Sequence, residues 1–447
     1  MKSFPLVRHG SLDDIFAWLP DGSIKVRNFL ADAEALAAQL PSDRYLLNVC
    51  QDRYRFAVGF AAGLLTGKTS LQPASQSAET LRRIQHDFPD VVCLCDSELD
   101  GLNLPRFDFP VLAAANPEGV TKIPEFSADH IAACLFTSGS TGTPMPHFKT
   151  WGGLVHNGRA EAERLNLLER PHAIVGTVPV QHAFGFESTF LLALHGQCAF
   201  WSGKPFYPQD IVTALEGVPR PRLLVTTPFH LSALLVSGLE LPAIDLLLSA
   251  TAPLSMKLAS EAETRFGVPL HEIYGSTETG QIASRHTTVS QAWHLLPDIR
   301  LEQETGQTFA SGGHVESKVE LSDIIEILAD GRFLLHGRCA DLVNVAGKRS
   351  SLAYLNHQIT AIPGVIDAAF FLPEDKGQDG ITRLCAFVVA PGLKPQTLLA
   401  ELRERLDPVF LPRPLFFLDQ LPRSSTGKLP HSSLEALYIE RVSHAGR

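Results

Sequence analysis

This sequence of 447 residues contains no long apolar run. A helix that crosses a membrane needs about 20 consecutive apolar residues, and the most apolar stretch, residues 188–203, is shorter and contains His195. The first residues also lack the apolar segment of a secretory signal. The sequence therefore predicts a cytoplasmic protein with no membrane span.

Positive charge is scarce as well. The chain has 38 Lys and Arg residues against 48 Asp and Glu residues, a net charge of −10. An acidic chain has no general electrostatic attraction for nucleic acid, so we expect no nucleic-acid partner. The seven cysteines are an odd number and include no Cys-x-x-Cys pair. This pattern predicts buried free thiols in a reducing compartment.

Two common catalytic signatures are missing. A Walker A loop requires a Gly-Lys pair followed by Ser or Thr, and neither Gly347-Lys348 nor Gly427-Lys428 meets that requirement. The Gly-x-Ser-x-Gly turn of a serine hydrolase is also absent. These absences disfavour a P-loop nucleoside triphosphatase and a serine hydrolase.

What the sequence does contain is a series of short apolar runs separated by helical patterns. Such a series indicates an α/β fold with a mainly parallel sheet that is covered on both faces. The strand-like runs are residues 45–49, 91–95, 131–137, 173–178, 222–227 and 244–250, and the helical patterns include residues 53–65, 153–168 and 255–266.

The alternation of single strands and helices ends near residue 323, where a hairpin pattern is followed by a smaller α+β unit. Residues 323–338 predict two strands joined by a two-residue turn at Asp330-Gly331. Further strand-like and helical runs follow at residues 365–372, 384–390 and 397–406. We therefore predict a large N-terminal domain, residues 1–338, and a small mobile C-terminal domain, residues 339–447.

A Ser- and Gly-rich loop directly follows one of the apolar strands. Small residues let backbone N–H groups approach an anion closely, and hydroxyl groups donate hydrogen bonds to phosphate oxygens. The sequence therefore predicts a phosphate-binding loop. Its residues are Thr137, Ser138, Gly139, Ser140, Thr141 and Gly142.

A second polar segment, residues 271–281, carries groups suited to a nucleotide. Tyr274 offers a flat ring on which a base can stack, and Thr277 can donate to a phosphate. Glu278 supplies the hard oxygen ligand that Mg²⁺ prefers. A polar turn after a strand would have the same composition, so this segment by itself leaves both interpretations open.

Two further segments carry charges suited to binding a nucleotide or to stabilising a reacting group. Asp323 and Arg338 stand at the two ends of the predicted hairpin, where a carboxylate can accept ribose hydroxyls and a guanidinium can bridge ribose and phosphate. Gly427 allows a tight turn that presents Lys428, whose charge can stabilise a reacting carboxylate and phosphate. Taken alone, each segment is better explained by solvated surface charges.

Together, and in this order, these segments resemble the adenylate-forming superfamily of acyl- and aryl-CoA synthetases, carrier-protein ligases and adenylation domains. The resemblance covers roughly residues 20–435. It is carried by a phosphate loop, an acyl-pocket segment, an adenine-side segment, a central signature, a hinge and a C-terminal lysine segment. These lie at residues 137–144, 179–186, 248–255, 274–280, 337–349 and 422–428.

The resemblance implies a two-step reaction with ATP and Mg²⁺. A carboxylate attacks the α-phosphate of ATP to give an acyl-adenylate and pyrophosphate, and a thiol then takes the acyl group. It implies that Thr277 contacts the α-phosphate, Glu278 holds Mg²⁺ and Lys428 bridges the substrate carboxylate and the nucleotide. Rotation of the C-terminal domain would then remove Lys428 and open a path for the thiol.

The resemblance also implies where the substrates lie. The loop from Thr137 to Gly142 would hold the phosphates, and His182, Phe184 and Gly185 would line the pocket of the carboxylic acid, with His182 also acting in catalysis. The nucleotide would contact Ala250, Thr251, Ala252, Tyr274, Gly275, Asp323 and Arg338, and Thr251 and Gly275 would in addition contact the acid.

The chain departs from the family's usual pattern at three places. The phosphate loop normally continues with Pro-Lys-Gly, whereas Met145 stands here in place of that lysine. Lys149 or His147 is the candidate replacement for the missing positive charge. The adenine-side segment has Ala250 and Thr251 where two glycines are usual, and Ala340 replaces an acidic residue of the hinge, leaving the pivot open.

The identity of the acid and of the thiol is a separate question. Phe184, Phe186, Tyr274 and the bulky Thr251 favour a flat or short acid such as a hydroxybenzoate. No carrier domain follows Lys428, so the thiol would be supplied by a separate acyl carrier protein, which we favour, or by CoA. Lys204 and Lys149 could contact a carrier's acidic face, although solvated surface lysines explain them better. The enzyme would be a monomer or a homodimer.

Three alternatives stay open at this point. An acyl- or aryl-CoA ligase would use the same chemistry with CoA as the acceptor. An amino-acid-activating enzyme is compatible with Glu187, which follows the acyl-pocket segment and could pair with a substrate amine. A non-catalytic nucleotide- or acyl-binding member of the family is compatible with the departures at Met145 and Ala340.

Overall fold

The structure of the chain is a computed structural model. It describes residues 2–73, 77–98, 104–112, 115–136, 145–338, 342–345, 348–373, 383–424 and 429–445.

Strands in this part of the chain alternate with helices over the N-terminal half and become more frequent after residue 270. The strands are β1 (Ser3–Pro5), β2 (Ile15–Leu19), β3 (Gly22–Lys25), β4 (Tyr45–Asn48), β5 (Thr69–Gln72), β6 (Val91–Cys95), β7 (Arg106–Asp108), β8 (Glu125–Ser127), β9 (Ile131–Phe136), β10 (Pro146–Thr150), β11 (Ala173–Gly176), β12 (Ala199–Trp201), β13 (Arg222–Thr226), β14 (Leu246–Ser249), β15 (Leu270–Ser276), β16 (Gly280–His286), β17 (His294–Leu295), β18 (Arg300–Glu304), β19 (Gln307–Gly312), β20 (Val315–Leu321), β21 (Asp323–Ile327), β22 (Phe333–Arg338), β23 (Leu342–Val345), β24 (Lys348–Ser351), β25 (Asp367–Phe371), β26 (Cys385–Val389) and β27 (Leu415–Phe417).

The helices are mostly short and follow the strands of the large sheets. They are α1 (Val26–Ala37), α2 (Arg53–Leu65), α3 (Ala78–Asp87), α4 (Trp151–Arg164), α5 (Ala183–Gly185), α6 (Leu192–His195), α7 (Pro208–Glu216), α8 (Pro228–Val236), α9 (Met256–Phe266), α10 (Leu352–Thr360), α11 (Pro395–Arg405) and α12 (His431–Ala445). A π-helical stretch, Phe186–Leu191, joins α5 to α6.

Two large sheets dominate the N-terminal part. One has six strands in the order β10-β9-β5-β4-β6-β7, and the other has nine in the order β17-β16-β15-β14-β13-β11-β12-β2-β3. The central strands of each are parallel, whereas β10, β16, β17 and β3 pair antiparallel at the edges. Apolar side chains on both faces of the central strands account for this arrangement. The predicted α/β class with mainly parallel sheets is confirmed.

Side-chain caps determine where the predicted helices begin. The carboxylate of Asp52 accepts a hydrogen bond from the backbone N–H of Arg55. Helix α2 starts at Arg53, directly after Asp52, as the sequence predicts. The Thr150 hydroxyl accepts from the backbone N–H of Gly153, so α4 starts two residues before the predicted bound. In each case the cap satisfies a backbone donor that the first turn leaves free.

Helix α2 is buried over most of its surface, and its apolar residues belong to one large hydrophobic core. Its Phe56 and Phe60 make edge-to-face contacts with Phe190, and Phe60 makes one with Phe186. A helix that is apolar around its circumference belongs in a core rather than at a surface. The aromatic packing anchors the π-helical stretch, which directly follows the predicted acyl-pocket segment.

The predicted hairpin at residues 323–338 exists, but its turn is longer than expected. The backbone N–H of Leu328 donates to the carbonyl of Arg332 at 2.8 Å, and Gly331 has a φ of 81°. The connection is therefore a three-residue loop closed by a left-handed residue, and the predicted two-residue turn at Asp330-Gly331 is wrong. The Gly residue supplies the left-handed position, which an Asp-Gly pair offers to both kinds of loop.

The smaller C-terminal domain has a core of its own. Strands β25, β26 and β27 form a three-stranded sheet, against which Leu355, Ile359 and Leu402 are buried. The α+β character agrees with the sequence. The predicted boundary between residues 338 and 339 stays a prediction, because residues 339–341 lie outside the described residues.

The cysteines that the structure describes are buried free thiols, as predicted; they are Cys50, Cys93, Cys95, Cys134, Cys198 and Cys385. Within the described ranges, no helix is both long and apolar enough to cross a bilayer.

Candidate functional site

The signature segment forms a tight turn where β15 leaves the nine-stranded sheet. The backbone N–H of Ser276 donates to Thr279 Oγ1 at 3.2 Å, and the backbone N–H of Thr279 donates to Ser276 Oγ at 3.3 Å. Strand β16 then returns antiparallel to β15. These bonds hold Thr277 and Glu278 at the tip of the turn.

Gly275 is required by the close return of the chain. A Cβ atom at this position would lie 2.2 Å from the carbonyl oxygen of Gly280 and 2.7 Å from Cα of Gln281. Those atoms belong to the paired backbone and cannot rotate away. The glycine between Tyr274 and Ser276 therefore sets the shape of the whole turn.

We expect Gly275→Ala to lower the free energy of unfolding by about 1–3 kcal/mol or more, because the strands must separate to admit the methyl group. Urea unfolding followed by circular dichroism measures this. Gly392→Ala is the matched control, since no atom lies within 4 Å of a Cβ at that position. Equal unfolding midpoints for the two variants would contradict the prediction.

Tyr274 connects the signature turn to the hairpin that begins at Asp323. Its hydroxyl donates to Asp323 Oδ2 at 2.7 Å, although the two residues are 49 positions apart. The ring packs against Trp293 and Phe333, with centroid separations of 5.6 Å in both cases. The structure thus brings together the predicted adenine platform and the predicted ribose carboxylate.

The backbone of Arg338 lies opposite Asp323 in the pairing of β21 with β22. The sequence places the two residues at the ends of one hairpin, and the observed register agrees with that placement.

A buried ion pair supports β15 and β16 from the side. Arg285 Nε donates to Glu272 Oε2 at 2.6 Å, and the Thr287 hydroxyl donates to the same oxygen at 2.6 Å. The guanidinium also lies over the Trp293 ring, 4.5 Å from its centroid. This network holds the aromatic residue against which Tyr274 packs.

A lysine and a histidine from the six-stranded sheet reach the signature turn. Lys149 Nζ donates to the backbone carbonyl of Glu278 at 2.7 Å, and His147 Nε2 lies 3.8 Å from Glu278 Oε1. His147 and Lys149 are two positions apart on β10, so their side chains lie on the same face of the strand. The sequence names Lys149 or His147 as the replacement for the missing loop lysine, and both lie beside the predicted Mg²⁺ ligand.

The electrostatics distinguish these two candidates. Burial lowers the pKa of His147, so this imidazole is neutral at neutral pH. Burial also lowers the pKa of Lys149, but the carboxylates of Glu187, Glu278 and Glu316 raise it in opposition. Of the two side chains, Lys149 is therefore the one whose charged form is supported by several neighbouring carboxylates.

The predicted acid-pocket segment is held rigidly after β11. The His182 imidazole accepts a hydrogen bond from the backbone N–H of Phe184 at 3.3 Å and so caps α5. A Cβ on Gly185 would lie 2.1 Å from the carbonyl oxygen of Pro179. The buried Arg53 guanidinium donates to the carbonyls of Gly176 and Val178 from below, at 2.7 and 3.0 Å.

The predicted adenine-side segment follows β14 and contains an unusual backbone conformation. Thr251 has a φ of 78° and directly follows the buried Ala250. A β-branched residue with positive φ is an outlier that costs about 1–3 kcal/mol. This conformation explains why glycine suits the position, and such local cost is concentrated at ligand-binding segments.

Several predicted residues lie outside the described residues: Thr137, Ser138, Gly139, Ser140, Thr141 and Gly142 of the phosphate loop, and Lys428. Their roles stay predictions.

Sequence reasoning missed a group of polar side chains near Lys149 and Glu187. Two of them, Asn157 and Glu161, lie one turn apart on the buried face of α4, where polar residues are uncommon. That pair of polar residues could have indicated a buried polar site. The other members of the group have no local sequence signal; they are Ser188, Gln281, His314 and Glu316.

The amino-acid sequence matches a known enzyme family and several of its members. Residues 44–313 match the AMP-binding enzyme family, and residues 356–428 match the AMP-binding enzyme C-terminal domain. The chain is 31% identical over 301 residues to a 4-coumarate–CoA ligase of Rhodobacter capsulatus, covering 66% of this chain and 74% of that protein. It is 25% identical over 366 residues to a 3-hydroxybenzoate/4-hydroxybenzoate–CoA ligase of Thauera aromatica, covering 71% and 67%.

Solved structures show the same fold. ATP-bound MatB from Rhodopseudomonas palustris superposes with a TM-score of 0.83 at 20% identity, covering 96% of this chain and 97% of that one. The chain belongs to the AMP-binding enzyme family, and the predicted adenylate-forming superfamily is confirmed. By class it is an AMP-forming acid–thiol ligase.

Proposed function

We propose that this enzyme activates an aryl acid, such as a hydroxybenzoate, with ATP and transfers the acyl group to a phosphopantetheine thiol. In the first step a carboxylate oxygen bonds to the α-phosphorus, the bond to the β-phosphate oxygen breaks, and pyrophosphate leaves. In the second step the thiolate sulfur bonds to the acyl carbon, and AMP leaves with the electrons of the broken C–O bond.

One observation carries this proposal: the Tyr274–Asp323 hydrogen bond joins a flat ring and a ribose-type carboxylate beside the Glu278 turn. A nucleotide with Mg²⁺ needs the ring, the ribose-binding carboxylate and the metal-binding carboxylate together. The ring and Glu278 come from the signature segment, whereas Asp323 comes from the hairpin. The pair is also rigid, because Trp293 and Phe333 fix the ring. Rigid positioning is the main contribution that a protein makes to phosphoryl-group chemistry.

The residues present fit a magnesium ion held together with ATP. Glu278 offers a partly exposed carboxylate, the type of ligand that Mg²⁺ takes together with phosphate oxygens. Among the described residues, no cluster of three or more His, Cys, Asp or Glu side chains could hold a metal without the nucleotide. Bound Mg²⁺ would neutralise phosphate charge, and Lys149 would add positive charge from the other side of the turn.

The acceptor of the acyl group is either CoA or an acyl carrier protein. The sequence favours a carrier protein, whereas the relatives from Rhodobacter capsulatus and Thauera aromatica are both named as CoA ligases. The same phosphopantetheine arm ends in the thiol of both acceptors. We therefore propose the arm as the chemical acceptor, with CoA supported by the relatives' names.

The test is acid-dependent release of AMP and pyrophosphate from ATP. The panel contains hydroxybenzoates, cinnamates, short and long fatty acids, and amino acids, each with CoA, with holo carrier protein and with neither. We expect an aryl acid to give the fastest turnover. Lys428→Ala should lower the rate at least about 100-fold, because the lysine would stabilise charge formed only during reaction.

Other outcomes would overturn the proposal. Release of free phosphate instead of AMP would identify a different chemistry. Palmitate as the preferred acid would exclude an aryl substrate, and an amino acid would indicate the amino-acid-activating alternative. ATP binding without turnover across the whole panel would identify a non-catalytic member of the family.

A further inference from the structure

A cavity lies at the amino ends of the strands of the nine-stranded sheet. Its walls include the first residues of three parallel strands, Ile15 of β2, Ala173 of β11 and Ala199 of β12. The signature turn, in contrast, follows the carboxyl end of β15, which runs parallel to β11 through β13 and β14. The cavity and the predicted reaction site therefore lie at opposite edges of one sheet.

The cavity is large enough for a small organic molecule. Its volume is about 280 Å³, close to the lower end of the range for small-molecule pockets, which is about 300–1,000 Å³. Exposed Pro171, Pro219 and Arg220 form the rim, whereas His9 and Ala173 belong to the buried wall. A ligand could therefore enter over the rim and reach buried polar atoms.

His9 is the buried polar group of this cavity. The residue is 8% exposed, and neither ring nitrogen has a hydrogen-bond partner among the residues that the structure describes. Burial lowers the pKa of His9, although Asp14 and the nearby backbone of Cys198 and Ile15 raise it in opposition, so the ring is neutral at neutral pH. A neutral imidazole offers one N–H donor and one acceptor nitrogen. Because an unsatisfied buried polar group destabilises the fold, a ligand that pairs with this ring would recover free energy.

Two further side chains add acceptor atoms to the cavity. Asp14 Oδ2 accepts from the backbone N–H of Ser11 at 2.9 Å, and the charge of this carboxylate acts on His9. His172 Nδ1 lies 2.7 Å from the carbonyl oxygen of Arg170, and burial lowers the pKa of this imidazole. Because a carbonyl only accepts, Nδ1 carries the hydrogen and Nε2 is an acceptor. The cavity therefore suits a ligand that carries N–H donors.

The apolar part of the cavity is flat and rigid. It includes the partly buried Trp18 and the prolines 171, 219 and 221. An indole face stacks well on a nucleobase, and proline loses no side-chain entropy when a ligand covers it. These surfaces favour a planar heterocycle over a flexible chain.

Positive charge is in excess at the rim. Arg220 Nη2 lies 2.8 Å from Asp245 Oδ1, and Arg170 Nη2 lies 3.6 Å from the same oxygen. Arg170 directly precedes the rim residue Pro171. Because two guanidinium groups share one carboxylate, one positive charge is left for an anion. Guanidinium groups bind phosphate through two parallel hydrogen bonds.

We propose that this cavity binds an adenine nucleotide, with the base against Trp18 and the phosphate at the arginine rim. Adenine presents an amino donor beside a ring-nitrogen acceptor, a pair that complements the Asp14 carboxylate and the N–H of His9. The site is separate from the reaction site at Asp323 and Glu278. The inference therefore goes beyond the proposed function and requires no turnover.

The experiment is calorimetric titration of AMP into the full chain, without acid or thiol. We expect two sites per chain, of which Asp323→Asn weakens one and Trp18→Ala weakens the other about 10- to 100-fold through loss of stacking. Retained binding at the site that depends on Asp323 shows that the Trp18→Ala chain is folded. Arg220→Gln, at an exposed rim position, should weaken the same site as Trp18→Ala. Arg403→Gln, at an exposed arginine on α11, is the matched control and should leave both sites unchanged.

Analogues of AMP test each part of the ligand. Purine riboside 5′-monophosphate lacks only the amino group, and it should bind the second site at least about 10-fold more weakly than AMP, because a hydrogen bond to a charged acceptor is lost. Adenosine lacks the phosphate, and its affinity should not change in Arg220→Gln. ATP and CoA carry the same nucleotide unit, so separate titrations show which source the site prefers.

The inference and the proposed function fail in different ways. A single AMP site that Asp323→Asn weakens and Trp18→Ala leaves unchanged would overturn the inference and leave the ligase intact. Equal affinities of the second site for AMP and for purine riboside 5′-monophosphate would also overturn it. If no acid releases AMP, the proposed function fails, and the titration with Trp18→Ala still decides whether the cavity binds a nucleotide.

Discussion

Glu278→Gln should lower acid-dependent AMP formation at least about 100-fold. The substitution keeps the size of the side chain but removes the negative charge that would hold Mg²⁺ against the phosphates. Loss of a single preorganised electrostatic contact at a reacting group typically costs a factor of 100 to 1,000 in rate. The turn itself should survive, because its hydrogen bonds come from Ser276 and Thr279.

The measurement is initial AMP release at several Mg²⁺ concentrations, since a weakened metal ligand should shift the Mg²⁺ dependence upward. Glu261→Gln is the matched control. Glu261 is an exposed glutamate on α9 and forms an ion pair with Lys257 of the same helix. A Glu278→Gln variant that matches the wild type at low Mg²⁺ would show that another group holds the metal.

Asp323→Asn should raise KM for ATP by about 10- to 100-fold with a smaller effect on kcat. A carboxylate accepts hydrogen bonds from both ribose hydroxyls, and a hydrogen bond to a charged group contributes about 1.5–3 kcal/mol. The amide keeps one acceptor atom but replaces the other with a donor. It would also disturb the hydrogen bond from the Tyr274 hydroxyl, so the position of the ring depends on the same carboxylate.

Steady-state kinetics with varied ATP measure this effect, and Glu326→Gln on the same hairpin is the control. Glu326 is exposed and lies 2.9 Å from His336 Nε2, away from Tyr274. Thermal unfolding of both variants separates a local change from a loss of fold. An unchanged KM for ATP in Asp323→Asn would contradict a ribose-binding role.

Local sequence signals were sufficient for part of the two large sheets. The apolar runs predict β4, β6, β9, β11, β13 and β14, because the period of burial is a property of each segment. Other strands of the same sheets, such as β5, β10 and β12, were not predicted. Helix α2 begins and ends where its pattern does, at Arg53 and Leu65. Within the segments that were predicted, the errors lie at ends and turns, such as the three-residue loop at Gly331, where two loop types share the same residues.

Contacts between distant segments were not available from such signals. Lys149 meets Glu278 across 129 positions because β10 closes one sheet and the signature turn leaves the other. The sequence left Lys149 and His147 equally ranked as replacements for the loop lysine. Burial separates them, since it neutralises the imidazole while three carboxylates oppose the loss of charge on the amine.

The sequence by itself determined the family and the α/β class, because both depend on short segments in a set order. Only the tertiary structure placed Asn157 and Glu187 around one cavity beside Gly280. Those residues come from a helix, a π-helical stretch and a turn whose local patterns indicate nothing about one another. Their meeting is a consequence of packing, since burial brings together groups that no local preference relates.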